Sequence, residues 1–493
     1  MKEILKSKYR NFILAGLLLN ILCAWYSVGF HQSDEHFQIL EFCNFKLGHI
    51  SAGDLAWEYQ QKIRSALLPG IACLCARFLY LCGAYNPFTL AFILRFLAGV
   101  ASWFIACKYC ILFSTKFKTP IGEKLMVMMS MFLWFMPYIN VRFTSENISA
   151  IALLLGVYYV LTCKSEQKSC YLKYAFAGLC FGFSFFIRPQ MGFAIAGFIA
   201  WLLIVKKTEW KYLFVLAFSA LAAIGINILI DYWFYGTWTF SPYGYYYANI
   251  VQHKAADYGV NPWWFYFTDF IIRAVPPLSL LLLVMFFSGI FRNLKDPMVW
   301  VFAPFFIFHC FMGHKEMRFL FPMAIIFTYL ASAGFDYFLT KEYYQKIHRY
   351  FYAVAVIICI PLLAYRTFAP AHVSVNYFKY LYEYPKEKDQ HFFILRNDDY
   401  FHLYGLNYGF YKNSSLITVP LDSMQQIEPF LKANKPQSAL FLCQQTISSK
   451  DTIQGYKTKM VYCYFPDWLL KFDINKWEER TQIWRVYEFD KVE

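Results

Sequence analysis

Residues Asn11–Phe30 read NFILAGLLLNILCAWYSVGF, and His31–Glu41, which follow directly, read HQSDEHFQILE. The first stretch is apolar enough to enter a bilayer, and the second puts two adjacent carboxylates, Asp34 and Glu35, where that span would leave it. Carboxylates beside lipid are costly unless they are solvated, paired or used in chemistry. An ordinary hydrated loop ending a helix is the plain alternative, with Asp34 as a helix cap. What decides between them is the pattern of the remaining chain.

The chain has 493 residues, 59% of them hydrophobic, 22% aromatic and 16% charged, the profile of a polytopic membrane protein. Eleven spans are predicted, at 12–30, 88–112, 124–141, 148–163, 173–187, 190–205, 212–231, 266–289, 298–312, 319–338 and 350–366. Many are long enough for a hydrocarbon core about 30 Å thick. Segment 66–83, apolar but holding Arg77 and bounded by Pro69-Gly70 and Gly83, reads as a partial or re-entrant span. The first run lacks the small-residue cleavage site of a removable signal peptide.

This assignment sorts the loops by chemistry. The N-terminal Lys2, Lys6, Lys8 and Arg10 and the loops Lys116–Lys124, Lys164–Lys173, Lys206–Lys211, Arg292–Lys295 and Lys341–Arg349 share one side, and all are basic. The positive-inside rule makes that side cytoplasmic. The net charge of +14 therefore reports orientation, not a nucleic-acid partner. The other side receives 31–65, Arg142–Asn147, Arg188–Gln190, Tyr232–Tyr266, Gly313–Arg318 and the chain after about 367. Carboxylates, histidines and isolated arginines gather there. A transporter would hold its polar residues near the midplane, whereas polar residues at one face suit a surface enzyme.

Beyond the last span, Phe392–Leu395, Leu416–Val419, Ala439–Cys443, Met460–Phe465 and Ile483–Phe489 read as strands, with a helix in Asp422–Asn434. Alternating strands and helix predict a small soluble α/β domain over 369–493, after a transmembrane domain over 1–368. No glycine-rich phosphate loop opens its helices. Most of the fourteen cysteines lie in apolar runs as small hydrophobes. Cys443 and Cys463 are the candidate disulfide if that region meets an oxidising compartment. Asn147-Ile148-Ser149 and Asn413-Ser414-Ser415 match the glycosylation acceptor pattern.

A metal-free glycosyl transfer needs a carboxylate to take the proton of the attacking hydroxyl. It also needs cations where charge builds on the leaving phosphate, a task that suits arginine. Both residue types fall on the non-cytoplasmic side. Asp34 is the candidate base, with Glu35 a second carboxylate or one that orients His36 or an arginine. Glu58 and Arg64 are candidates that could equally pair with each other. His314-Lys315-Glu316-Met317-Arg318 is too dense in charge for a casual turn. Arg142, Arg188 and Arg273 are further basic candidates, Arg188 equally readable as an interfacial arginine. Asp231 could cap a helix or bind a sugar hydroxyl, and Pro262-Trp263-Trp264 could stack on a sugar or lipid. The tyrosines of 243–247 read as an interfacial aromatic belt. No zinc-like histidine pair is present, so no metal is expected.

These residues resemble glycosyltransferase family 22, the dolichyl-phosphate-mannose-dependent mannosyltransferases. His31–Glu41 is similar to that family's "HPDE…Q…E" opening. Trp57-Glu58-Tyr59, Arg64-Ser65 and Pro69 resemble its "WEY…RS…P" segment, and Arg142–Asn147 its "R…T…N/E" stretch. Arg188-Pro189 resembles its "RP" pair, Asp231–Trp238 its "D…FYG.W" element, and Tyr258–Tyr266 its "YG…PW.WY" element. Gly313–Pro322 resembles its "HKE.RF..P" signature. Order and spacing agree over about 31–325, most like the branch adding the third mannose to glycosylphosphatidylinositol precursors. The opening departs by one extra residue and a missing proline, and the C-terminal region has no counterpart, which leaves a bacterial relative open.

The resemblance implies a GT-C fold and an inverting transfer of mannose from a dolichyl or polyprenyl phosphate to a glycolipid or glycan acceptor. The donor is a substrate, and no cofactor is implied. The expected place is the endoplasmic reticulum membrane or a bacterial inner membrane, on the lumenal or periplasmic side. Asp34 and Glu35 are the expected catalytic pair. Arg64, Arg188, His314, Lys315 and Arg318 are expected at the donor, and Trp57, Glu58, Arg142, Asn147, Asp231 and Trp263 at the acceptor or in support. The alternatives are a GT-C transferase of another lipid-linked sugar, such as a pentose or amino-pentose, and a non-enzymatic glycolipid transporter.

Overall fold

The computed structural model describes residues 6–163, 169–340, 342–372, 374–384, 391–395, 402–403, 406–412, 417–421, 424–434, 438–443, 452–453, 456–465, 467–472, 474–477 and 483–491. The chain forms two compact units, Met1–Leu47 with Ala56–Pro370, and Gly48–Leu55 with Ala371–Glu493.

The first unit is helical, and every predicted span falls on a helix. These are α1 (Arg10–Tyr26), α2 (Leu67–Leu81), α3 (Pro87–Phe113), α4 (Pro120–Phe132), α5 (Met136–Asn140), α6 (Ser145–Leu161) and α7 (Ser169–Ile187). They continue with α8 (Met191–Ile204), α9 (Trp210–Tyr235), α10 (Phe265–Arg273), α11 (Leu278–Arg292), α12 (Pro297–Phe311), α13 (Ala324–Leu339) and α14 (Glu342–Phe368). Local chemistry sets the starts. Asn86, Thr119 and Asp296 cap α3, α4 and α12 with their side chains, each followed by a proline at the first helical turn. Gly236, at φ 70°, ends α9 in the left-handed conformation.

Two predicted spans are broken. The one expected at 266–289 divides into α10 and α11, because Pro276 and Pro277 cannot continue a helix and the residue before a proline is pushed out of helical geometry. The one at 124–141 divides into α4 and α5 around Leu133–Phe135. Among the described residues, five helical runs are long and apolar enough to cross a membrane: Pro87–Lys116, Ser169–Ile187, Trp210–Tyr235, Met317–Leu339 and Arg349–Phe368. The bent pair α11–α12, at 118°, adds a sixth if it is one span. The other apolar helices are shorter, among them α2, whose 15 residues rise roughly 22 Å.

Burial separates helices facing protein from helices facing outward. Along α9 and α14, Phe214, Phe218, Leu221, Ile357 and Ile360 are exposed, an apolar surface that suits contact with lipid. Gly178 and Gly182 on α7 sit against the backbone of α9, where an added Cβ would collide with the Leu216 and Ala220 carbonyls. Small residues one turn apart bring the two helices close without large side chains.

The basic loops collect at common helix ends. Lys116 pairs with Asp296 at 2.7 Å, and the backbone of Lys118 and Thr119 donates to Asp336. Lys173 donates to the Thr162 carbonyl and Lys206 to the Val160 carbonyl, closing the last turn of α6. The opposite end of α6 begins at Ser145, beside Arg188 at the end of α7.

The second unit holds a six-stranded sheet. Its strands are β1 (His391–Leu395), β4 (Ile417–Leu421), β5 (Ser438–Cys443), β6 (Thr452–Ile453), β7 (Tyr456–Cys463) and β8 (Arg485–Lys491). A separate pair joins β2 (His402–Leu403) and β3 (Leu406–Asn407). The order is β4-β1-β5-β8-β7-β6, with β1 parallel to β4 and β5 and the remaining pairs antiparallel. Ile427 and Leu431, on the helix Ile427–Asn434, pack with Phe441, Tyr487 and Phe489. Cys443 and Cys463 both stand across from Arg485, on the strands flanking it. The Cys443 side chain, one half of the expected disulfide, lies outside the described residues.

Candidate active site

The segment after α1 folds as a continuous helical run: Ser33–Glu35, a π-helical turn at His36–Leu40, and Glu41–Lys46. The wide turn offsets the carboxylates from regular α-helical spacing. Asp34 points into a cleft of about 400 Å³, whose lining also includes Glu35, Gln38, Arg64, Glu146 and Arg318. His36 and Glu41 turn elsewhere and bond to each other, Nε2 to Oε1, at 2.8 Å while fully buried. Glu41, not Glu35, therefore fixes His36.

The cleft is built from carboxylate–guanidinium pairs. Arg318 Nη1 lies 2.9 Å from Asp34 Oδ2 and 3.7 Å from Glu146 Oε1, and its Nε and Nη2 grip Glu316 in a fork at 2.9 Å each. Arg64 approaches Asp34 to 3.6 Å. Arg188 Nη1 reaches Glu146 at 2.9 Å and donates to Ser145 Oγ at 3.2 Å. Arg142 lies 3.7 Å from Glu35 and also donates to the carbonyls of Ser27 and Gly29 and to the Ser27 hydroxyl. Those bonds lock the turn between α1 and the segment that carries Asp34. The Glu35 carboxylate is also held by the backbone N–H of His31, at 3.0 Å.

Burial and charge act differently on the carboxyls. Burial pushes Asp34 up, but Arg318 and Arg64 outweigh it and hold the group below its usual range. Asp34 is thus ionised at neutral pH and still about a third exposed. For Glu35 burial wins, with Arg142 a partial offset, and its pKa is raised. Glu58 is raised as well, by burial and despite Arg64. Glu58 accepts from Gln38 Nε2 at 2.8 Å, while Arg64 turns to Asp34.

Other expected residues play visible structural parts. The Lys315 ammonium is buried and donates to the carbonyls of Asn261 (2.7 Å), Gly313 (3.5 Å) and Met312. It pins the 313–318 loop to the 259–264 loop. His314 adds a second tie, with Nδ1 3.0 Å from the Gly259 carbonyl and Nε2 3.2 Å from Glu316. Asn147 is buried and bonds the carbonyls of Asn140 and Arg142, so it is no glycosylation acceptor. Asn413 lies outside the described residues. Asp231, buried on α9, accepts from the Ala66 backbone N–H at 2.8 Å and so sets the start of α2. Trp57 donates to the Tyr258 hydroxyl at the surface, and Trp263 is exposed beside Trp264.

Two features escaped sequence reasoning. Glu146 bridges Arg188 and Arg318 from the first turn of α6, where Thr144 caps the helix. Its signal was its place between Arg142 and Asn147 in a motif already quoted. The second is a groove of about 1280 Å³ next to the cleft, walled by aromatics of α5, α10, α11 and α12 and holding His31, Arg273 and Arg366. Cleft and groove meet where His31, in the groove wall, donates its backbone N–H to Glu35, in the cleft wall. Burial, then the charges of Arg142, Arg318, Arg366 and Arg273, push the His31 imidazole down to about 4, so it is neutral at pH 7.

Comparison with known proteins places the fold first. The crystal structure of ArnT from Cupriavidus metallidurans bound to undecaprenyl phosphate has a TM-score of 0.54, covers 97% of both chains and is 10% identical. The apo state of the same protein has a TM-score of 0.50. The fold is therefore the GT-C membrane fold. Residues 12–396 match the Alg9-like mannosyltransferase family, and the chain belongs to that family. GPI mannosyltransferase 3 of Candida albicans is 27% identical over 63% of this chain and 61% of its own length. GPI alpha-1,2-mannosyltransferase 3 of Xenopus laevis is 24% identical over 63% of this chain and 56% of its own. The chain thus spans about six-tenths of the length of the curated relatives it matches.

Proposed function

We propose that this protein transfers mannose from a polyprenyl- or dolichyl-phosphate donor to a hydroxyl of a glycolipid or glycan acceptor, with inversion. The observation carrying the reading is Asp34: an ionised, partly exposed carboxylate in a cleft of paired arginines, opening beside an apolar groove. Family membership supports mannose as the sugar. The groove supports a donor with a long hydrocarbon chain.

In the transfer, the acceptor oxygen attacks the anomeric carbon from the face opposite the phosphate. Asp34 takes the hydroxyl proton as the new C–O bond forms. The bond from the anomeric carbon to the phosphate oxygen breaks, and its electron pair leaves with the lipid phosphate. Arg64 and Arg318 keep Asp34 ionised and aimed. Glu35, paired with Arg142, anchors the segment that carries it. The residues need no metal or cofactor in this scheme.

We place the N-terminus and the basic loops on the cytoplasmic side, and the cleft and the C-terminal α/β region on the lumenal or periplasmic side. The gathering of basic loops at the helix ends remote from the cleft supports this. The test is transfer from a polyprenyl-phosphate mannose by purified protein. Asp34→Asn should fold and bind donor yet lose transfer; retained transfer would remove Asp34 as the base. A panel of lipid-phosphate pentoses and hexoses reads the sugar directly.

A further inference from the structure

The cleft and the groove differ in how their cations are used. In and around the cleft each of these arginines lies near a carboxylate: Arg64 near Asp34, Arg142 near Glu35, Arg188 near Glu146, and Arg318 near Asp34, Glu146 and Glu316. Nearby, Glu58 adds a further acid that accepts from the Gln38 amide. A phosphate entering the cleft would meet these carboxylates at close range, although the Nε atoms of Arg64 and Arg188 carry no hydrogen bond among the described residues.

The groove is the reverse. Arg366, in the last turn of α14, lies 5.3 Å from the Tyr138 ring and 5.8 Å from the Trp134 ring, and no carboxylate pairs with it among the described residues. The rest of the groove lining is aromatic or aliphatic, apart from His31 and Arg273. Arg273 pairs with Asp269 at 2.7 Å on a largely exposed stem. His31 bonds the Tyr138 hydroxyl through Nδ1 at 3.0 Å, which leaves Nε2 for another partner. A cation without an anion beside apolar walls attracts an anionic ligand more strongly than one in bulk water.

We infer that Arg366, with His31 and Arg273 beside it, holds the phosphate of the lipid donor at the mouth of the apolar groove, while the cleft receives the sugar and the acceptor hydroxyl. This rests on the reading of the donor as a polyprenyl-phosphate sugar. The hydrocarbon chain lies along the aromatic walls. The phosphate sits at the end where groove and cleft meet at His31 and Glu35. From there the anomeric carbon can reach toward Asp34. Arg318, an expected phosphate ligand, becomes instead the residue that positions the base.

Full-length protein in lipid nanodiscs, titrated with undecaprenyl phosphate and with undecaprenol, separates the possibilities. Arg366→Gln should weaken undecaprenyl phosphate binding about tenfold or more, the worth of one charge-assisted hydrogen bond, and leave undecaprenol binding unchanged. Arg366→Lys should restore most of the loss. Arg366→Met carries the same test if the glutamine variant does not fold. Wild-type affinity for undecaprenyl phosphate in both neutral variants would overturn the assignment of Arg366 and leave the donor reading standing. A wild-type protein that binds undecaprenyl phosphate no better than undecaprenol would overturn both.

Discussion

The two cavities of the first unit share a wall and differ in what fills them. The cleft around Asp34 is dense with charge, and its charges answer one another. The groove beside it is aromatic, and Arg366 stands in it without a carboxylate partner among the described residues. One region carries counter-charges for its arginines; the other holds a cation that faces aromatic rings. A paired network holds side chains in place, which a proton acceptor needs. An unpaired cation in a hydrophobic pocket holds a standing affinity for an anion with an apolar tail.

The sharpest way to break this comparison is to remove the base. Asp34→Asn should reduce kcat by about 10²- to 10⁴-fold, the range of a general base, with KM for the lipid donor little changed. A fall in donor affinity instead would place the phosphate in the cleft and merge the two regions. Next in size is Glu146→Gln. It leaves Arg188 buried without its carboxylate and should cost about 3–5 kcal/mol, as breaking a buried pair from one side does. Thermal unfolding in detergent measures it, and an unchanged midpoint would mean that the cleft is not held by its pairs.

Lys315→Met tests whether the 313–318 loop is held by backbone bonds or poised for substrate. Loss of its hydrogen bonds should cost about 1–3 kcal/mol and raise protease cleavage at 253–264, with donor affinity kept. The smallest effect is in pH. Asp34 lies below its usual range and His31 at about 4, so neither titrates between pH 6 and 8, and transfer by these groups should be flat there. A depressed histidine makes the folded state bind fewer protons than the unfolded one. Its contribution is therefore complete above about pH 6.5 and is lost as pH falls toward about 4. His31→Gln should lessen the drop in melting temperature between pH 7 and pH 5; an unchanged drop would show that His31 is not buried neutral.

Much of this was legible in the chain. Apolar runs located the long helices of the membrane unit, because a stretch that faces lipid must be apolar whatever it packs against. Alternation and β-branched runs located β1, β4, β5, β7 and β8 for the same local reason. The breaks in α4–α5 and α10–α11 were missed, although Pro276-Pro277 stood in plain sight, because hydropathy averaging ignores a missing backbone N–H.

The site was legible as a set of residues but not as a set of partners. Asp34, Glu35, Arg64, Arg142, Arg188 and Arg318 do converge, though 284 positions separate Asp34 from Arg318 in the chain (318 minus 34). Glu58 and Arg64 were a natural pair by spacing, yet each took another partner. Lys315 looked like a phosphate ligand and is bonded to carbonyls. Arg366, the last residue of the span expected at 350–366, was not singled out in the sequence and lines a cavity.

The sequence by itself determined that this chain is a bundle of membrane helices with a small α/β unit, and that its candidate site residues are gathered apart from its plainly basic loops. Those properties follow from hydrophobicity and charge, which act residue by residue. Only the tertiary structure decided which arginine meets which carboxylate, and which one faces aromatic rings instead. Pairing depends on distances of 3–4 Å between side chains far apart in the chain, and no local pattern encodes them.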